Sequence, residues 1–208
     1  DPDVAVRTAA LTALIASVVS EDIPALVRLA AAADDPSVRN AAFETVRLMP
    51  AAGTNEALLA LVNQETELQP VVVRCALTRR SALFVPSFLQ AAASPRADAR
   101  REAFVALEVM ATAAEAESLV NLLAKTPPGE EREAADRAVW MSCQQIPDAP
   151  ARSALLKAAL AKADAAGQCA LLPTLARLDS AESLSAVHDA MQSADQAVRD
   201  AGYRALAN

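Results

Sequence analysis

Apolar and polar positions follow one another along this chain in a pattern that returns. The opening Val6-Arg7-Thr8-Ala9-Ala10-Leu11-Thr12-Ala13-Leu14 recurs as Val38-Arg39-Asn40-Ala41-Ala42-Phe43-Glu44-Thr45-Val46. It recurs near the end as Val198-Arg199-Asp200-Ala201-Gly202-Tyr203-Arg204-Ala205-Leu206. Weaker copies open at Val73-Arg74, Ala99-Arg100, Glu131-Arg132 and Ala166-Gly167. The second column reads Arg7, Arg39, Arg74, Arg100, Arg132, Gly167, Arg199, with successive spacings of 32, 35, 26, 32, 35 and 32. A fixed period of this size marks a helical-repeat architecture, in which each unit buries its apolar face only against its neighbours. Positions 0, +4 and +8 from the opening residue share one helix face, so that face is expected to be buried. The +4 column (Ala10, Ala42, Leu77, Ala103, Ala135, Ala170, Gly202) is nearly all small, as close helix approach requires.

Each copy follows a start signal, such as Asp35-Pro36, Gln69-Pro70, Ser94-Pro95 or Pro128-Gly129. Proline in the first turn costs nothing there, because its missing N–H would be unpaired anyway. A second set of apolar runs lies between the copies, including Ile23–Leu29, Ala57–Val62, Val85–Leu89 and Ala116–Leu123. The pattern predicts first-type helices near 20–33, 54–66, 85–93, 113–126, 149–163 and 180–192. It predicts second-type helices near 2–18, 36–49, 70–84, 95–111, 129–145, 165–178 and 195–207. The 26-residue spacing shortens the helix at Val85–Ala93, and Pro173 inside a second-type helix predicts a kink.

Composition supports the all-α reading. Of 208 residues a quarter are alanine and only 3% are aromatic, which favours helix over strand. No apolar stretch reaches the roughly 18 residues of a membrane-spanning helix, so no membrane insertion is expected. The net charge of −7 disfavours nucleic acid, which demands a basic surface.

An apolar helix, often with an early proline, followed by Asp-Pro-x-x-Val-Arg-x-Ala-Ala-x-x-Ala-Leu, resembles the HEAT repeat, and more narrowly its short bacterial variety. The resemblance covers the whole chain as one domain, 1–208. It runs from a lone helix B at 2–18 through A–B pairs at 20–49, 54–84, 85–111, 113–145, 149–178 and 180–207. It implies an α-α superhelix (an α-solenoid) of about 13 helices, with helix A convex and helix B lining the concave side. It also implies that the repeat-stacking arginines Arg7, Arg39, Arg74, Arg100, Arg132 and Arg199 bond turn aspartates along the stack. Asp1 with Arg7, Asp34 or Asp35 with Arg39, and Asp195 with Arg199 match that pairing. Ala99 and Glu131 depart from the valine and Gly167 from the arginine, so 166–178 fits the family least well. The tetratricopeptide repeat has a similar period, but its Trp-Leu-Gly-Tyr signature is absent.

No catalytic motif is present: no GxGxxG, Walker loop, GxSxG or HExxH. The single histidine, His188, falls on a charged helix surface beside Asp189. Glu130, Glu131 and Glu133 crowd a helix N-terminus, where negative charge complements the helix dipole. Asp136 and Trp140 share a helix face, an arrangement used by HEAT-like DNA glycosylases, but the acidic charge and the single tryptophan speak against that chemistry. Cys75, Cys143 and Cys169 form no CxxC pair; we expect three free thiols, no metal and no cofactor. Unpaired thiols lean towards a reducing, cytoplasmic compartment.

If 0, +4 and +8 are buried, then +2, +6 and +9 face solvent on the helix-B side. That strip includes Thr8, Thr12 and Ile15, then Asn40, Glu44 and Arg47, then Cys75 and Arg79. Leu172 and Leu175 fall on it further along, with Asp200 and Arg204 at the end. Its middle offers Arg79, Arg101, Val105, Glu108, Arg137 and Trp140 as candidate partner-binding residues, and arginine and tryptophan are enriched at binding hot spots. The expected function is a non-catalytic module that binds another protein or a peptide. Alternatives are an accessory protein resembling the HEAT-like bilin lyases, or a structural spacer in a multidomain chain. The start at Asp1-Pro2-Asp3 reads as a cut within a longer protein. Val4, Leu11, Leu14, Ile15, Val18 and Val19 at one end, and Val198, Tyr203 and Leu206 at the other, are expected to be uncovered and to favour weak end-to-end self-association.

Overall fold

The computed structural model describes residues 2–15, 17, 19–50, 53–64, 66–178 and 180–207. Thirteen α-helices account for most of them: α1 (Val4–Leu14), α2 (Ile23–Ala32), α3 (Pro36–Leu48), α4 (Thr54–Gln64), α5 (Gln69–Thr78), α6 (Val85–Ala91) and α7 (Ala97–Met110), then α8 (Ala116–Leu123), α9 (Glu130–Gln144), α10 (Ala149–Lys162), α11 (Ala165–Arg177), α12 (Ala181–Met191) and α13 (Gln196–Ala207). No strand occurs among the described residues. The all-α helical-repeat class expected from the pattern is the class observed. The chain forms two compact units, residues 1–106 and 107–208.

Side-chain caps start many of the helices. Asp3, Asp35, Asp148 and Asp164 accept backbone N–H groups of α1, α3, α10 and α11, and Ser180 does so for α12, satisfying donors that no helical carbonyl can reach. Three first-type helices, α2, α6 and α8, are entered through a single 3-10 turn: Ser20–Asp22, Ala82–Phe84 and Ala113–Glu115. The predicted helix 70–84 is shorter than the pattern indicated. It ends at Thr78, Arg80 adopts a left-handed backbone (φ 46°), and Ala82–Phe84 already belongs to the approach to α6. By contrast α11 runs through Pro173 to Arg177.

In the first unit α3 packs on α1 and α2, and α5 packs on α3 and α4. Phe84, Phe88 and Phe104 are wholly buried, with the first two rings stacked 5.9 Å apart. Buried Thr45 of α3 donates to Leu11 O at the end of α1 (3.1 Å). In the second unit α9 ties to the end of α7 in the same manner: Ser142 Oγ donates to Thr112 O (2.5 Å) and Gln145 Nε2 to Ala111 O (2.9 Å). α11 is packed by α8, α9, α10, α12 and α13, and its Leu171, Leu172 and Leu175 are wholly buried. The departure from pattern at 166–178 therefore still places these leucines in the core. Leu172 and Leu175, expected on the solvent strip, are core residues, because α11 meets neighbours on more sides than the 0/+4/+8 rule allows.

The repeat arginines act differently from the implied pairing. Arg39 Nη1 donates to Ala33 O (2.6 Å) and Asp34 O (3.2 Å). Arg100 Nη1 reaches Ser94 O and Pro95 O, Arg132 Nε reaches Thr126 O, and Arg199 Nη1 reaches Ser193 O and Ala194 O. Each clamps the carbonyls of the turn just before its own helix, where the preceding helix leaves acceptors unsatisfied. The aspartates are used as caps: Asp35 accepts from the Ser37 amide and Asp195 from those of Ala197 and Val198. Asp35 still senses the stack. The Ser37 amide first, and Arg7 of the preceding copy more weakly, hold its carboxyl below the usual range. Arg74 lies over the Phe43 ring (5.5 Å). The pairing of Asp1 with Arg7 lies outside the described residues.

The two ends are partly covered. Val6, Leu14 and Val19 are 48%, 43% and 54% exposed, and Tyr203 and Leu206 are 55% and 48% exposed. Leu11 and Val198, expected to be uncovered, are buried against their neighbours, and Val18 lies outside the described residues.

Candidate functional site

Two of the sequence-selected residues in the first unit are engaged locally. Arg79 is half-buried, and burial lowers its pKa. Its Nε donates to Asn55 Oδ1 (2.5 Å) and its Nη1 points at the carbonyls of Val46 (3.3 Å), Arg47 (3.4 Å) and Met49 (3.1 Å). It therefore caps the C-terminus of α3, where a cation complements the helix dipole. Arg101 is exposed and lies 3.7 Å from Glu102, and Val105 is half-buried. We expect Arg79→Ala to lower stability by about 1.5 kcal/mol, the scale of a lost charged cap. Thermal melting of the full chain measures this, and an unchanged midpoint would return Arg79 to the list of surface residues.

The second unit brings the rest together. Arg137 Nε pairs with Glu108 Oε2 (3.1 Å), linking α9 to the last turn of α7. Asp136 lies one residue before it on α9 and accepts from Thr174 Oγ1 and from Arg177 Nη2 (2.7 Å) of α11. The Arg177 guanidinium also lies over the half-buried Trp140 ring, 4.8 Å from its centroid, within cation–π range. The result is a ring of charge, Glu108–Arg137 on one side and Asp136–Arg177 on the other, around one tryptophan. Sequence reasoning found Glu108, Arg137 and Trp140, weighed Asp136 only for a different chemistry, and missed Thr174 and Arg177. No repeat column singles those two out; they matter because α11 packs beside α9.

Cys75, expected on the solvent-facing strip, is wholly buried, and burial pushes its thiol up to about 12. The buried Cys143 thiol is pushed up to about 11, and half-buried Cys169 is raised by burial and then by Asp195. All three are free thiols. Because a raised pKa leaves less thiolate at pH 8, we expect Cys169 to react first with a disulfide reagent in the native protein. Cys75 and Cys143 should react only on unfolding; a burst from all three would contradict their burial.

A cleft of about 740 Å³ opens between the ends of α8 and α10, with Lys125, Arg132, Lys162 and Asp164 at its polar positions and Pro127 and Pro128 on its wall. Among the described residues no cluster of histidine, cysteine and carboxylate side chains could hold a metal ion. His188 is exposed in the last turn of α12. Among the described residues no helix is long and apolar enough to cross a membrane.

No family model matches this chain, and no curated protein does either. Among solved structures, it is similar to an engineered protein at 18% identity and a TM-score of 0.42, over 96% of this chain and 95% of that one. It is also similar to human deoxyhypusine hydroxylase, solved in complex with glycerol, at 15% identity and a TM-score of 0.36, over 93% of this chain and 98% of that one. Likenesses at this level transfer neither a site residue nor an activity, and what stands for this chain is its own helical-repeat architecture.

Proposed function

We propose that the chain is a HEAT-type, non-catalytic interaction module that binds another protein or a peptide through its helix-B face, with Trp140 as anchor. The observation that carries this is the surrounding of Trp140 in the second unit. A large aromatic is held half-open by Arg177 above it and fenced by the pairs Asp136–Arg177 and Glu108–Arg137. Such an arrangement orders the tryptophan before any ligand arrives, which lowers the entropy cost of binding, and tryptophan and arginine dominate hot spots. The repeat arginines and caps supply rigid helix pairs on which this face is mounted. The family reading rests on the Val-Arg column and the Asp-Pro starts quoted above.

The test uses short random peptides displayed on phage and selected against the full chain. Bound peptides are expected to change the emission of Trp140, the chain's single tryptophan, and to lose about tenfold or more in affinity on Trp140→Ala. Peptides that bind the Trp140→Ala chain unchanged would place the binding face elsewhere.

A further inference from the structure

One residue beyond the strip that the repeat register predicted lies a further column of apolar residues. Ten residues past the opening position, four consecutive copies carry Leu48, Leu83, Val109 and Met141. All four are exposed, at 48%, 63%, 51% and 45%. Single exposed apolar side chains are ordinary on any protein. Leu83 lies in the turn that leads into α6, but Leu48, Val109 and Met141 all lie in the last turn of second-type helices, α3, α7 and α9, and that recurrence calls for a cause.

In the second unit this column can be followed residue by residue. The Arg137–Glu108 pair and the Ser142–Thr112 bond lie on either side of Val109 and Met141 and hold α7 and α9 in register there. Val109 and Met141 therefore come to the same level, next to Trp140. The flanking charges differ in exposure. Arg137 is 49% exposed against 31% for Glu108, and Arg177 is 42% exposed against 22% for Asp136. In both pairs the guanidinium is the more exposed partner, although the chain carries a net charge of −7. A guanidinium has five N–H donors. Arg177 spends Nη2 on Asp136 and Arg137 spends Nε on Glu108.

We propose that Val109, Met141 and Trp140, between Arg137 and Arg177, form a docking site for an acidic peptide segment of another protein. Its apolar side chains rest on Val109 and Met141, and its carboxylates meet the two exposed guanidiniums. The proposal builds on the interaction-module reading and adds the chemistry of the partner. Charge complementarity selects acidic over basic segments, since like charges placed against Arg137 and Arg177 would repel. Methionine suits such a surface, because its flexible thioether adapts to different apolar partners.

The experiment compares peptides from the phage selection on the full chain, on Trp140→Ala and on the double variant Val109→Ser with Met141→Ser, whose unchanged melting confirms folding. Synthetic versions are then measured by fluorescence anisotropy beside counterparts in which every Asp and Glu is replaced by Lys. Peptides rich in Asp and Glu with apolar residues are expected, weakened about tenfold by the double variant, weakened by added salt and abolished by lysine replacement. Neutral or basic peptides that still need Trp140, Val109 and Met141 would overturn the acidic partner and leave the interaction module standing. Acidic peptides that bind the double variant as well as the native chain would overturn the strip. Absence of any peptide that depends on Trp140 would overturn both readings.

Discussion

Leu172→Ala is expected to destabilise the protein by about 3 kcal/mol, the middle of the range for leucine truncation in a packed core. By position in the repeat, Leu172 belongs on the solvent strip, where such a change would cost almost nothing. In the structure it is wholly buried, on a helix that touches α8, α9, α10, α12 and α13. Truncation removes apolar contacts and leaves a cavity that the surrounding helices fill only in part. For a chain of this size the melting midpoint should fall by roughly 6–12 °C. Leu206→Ala is the control. Leu206 is 48% exposed on α13, and its loss should stay within about 0.5 kcal/mol. Equal melting of the two variants would show that the repeat register, and not the packing around α11, describes this helix.

The second large effect is a reversal of sign. Replacing glycine by alanine inside a helix ordinarily stabilises by about 1 kcal/mol. At Gly167 it should destabilise by about 2 kcal/mol. A Cβ there would lie 2.8 Å from the Ala124 carbonyl oxygen at the end of α8 and 2.9 Å from Ala163 Cβ. The first of these is backbone, which cannot swing aside, so α11 would have to move away from α8. Gly202→Ala is the informative companion. There the nearest atom, at 2.9 Å, is Met191 Cγ, part of a flexible side chain, and the backbone atoms lie at 3.3 and 3.4 Å. Its penalty should be the smaller of the two. Stabilisation by Gly167→Ala in denaturant titration would mean that α11 and α8 are farther apart than described.

Gly167 also shows how a single position can be misread. In the arginine column it is the missing member, and the pattern around it marks the repeat that fits least well. The structure gives the glycine a role of its own: Asp164 caps its amide (2.8 Å), Gln168 Nε2 reaches the Ala163 carbonyl (3.2 Å), and the bare Cα admits the end of α8. Arg80 is the converse case. Helix ends are usually signalled by glycine in the left-handed conformation; here an arginine adopts it, so nothing in the sequence announced that α5 stops at Thr78.

The sequence by itself determined what depends on near neighbours along the chain. The alanine content, the proline and aspartate starts and the repeat period establish thirteen helices in the right order, because caps, propensity and amphipathic spacing act over a few residues. Tertiary structure alone decided which faces of those helices are buried. The contrast between α1 and α11 shows why. Both carry the repeat, yet α1 packs chiefly on α3 and buries only Leu11, whereas α11 is surrounded and buries six residues. A periodic pattern specifies a direction around the helix; how wide an arc is covered depends on how many helices arrive there. The same holds for the site. Arg79 and Arg137 occupy the same column, but the acceptors within reach of Arg79 are Asn55 Oδ1 and the open carbonyls at the end of α3, and for Arg137 the carboxylate of Glu108. One became a cap and the other part of a charged ring around Trp140, since a guanidinium bonds whichever acceptors the packing leaves within its reach.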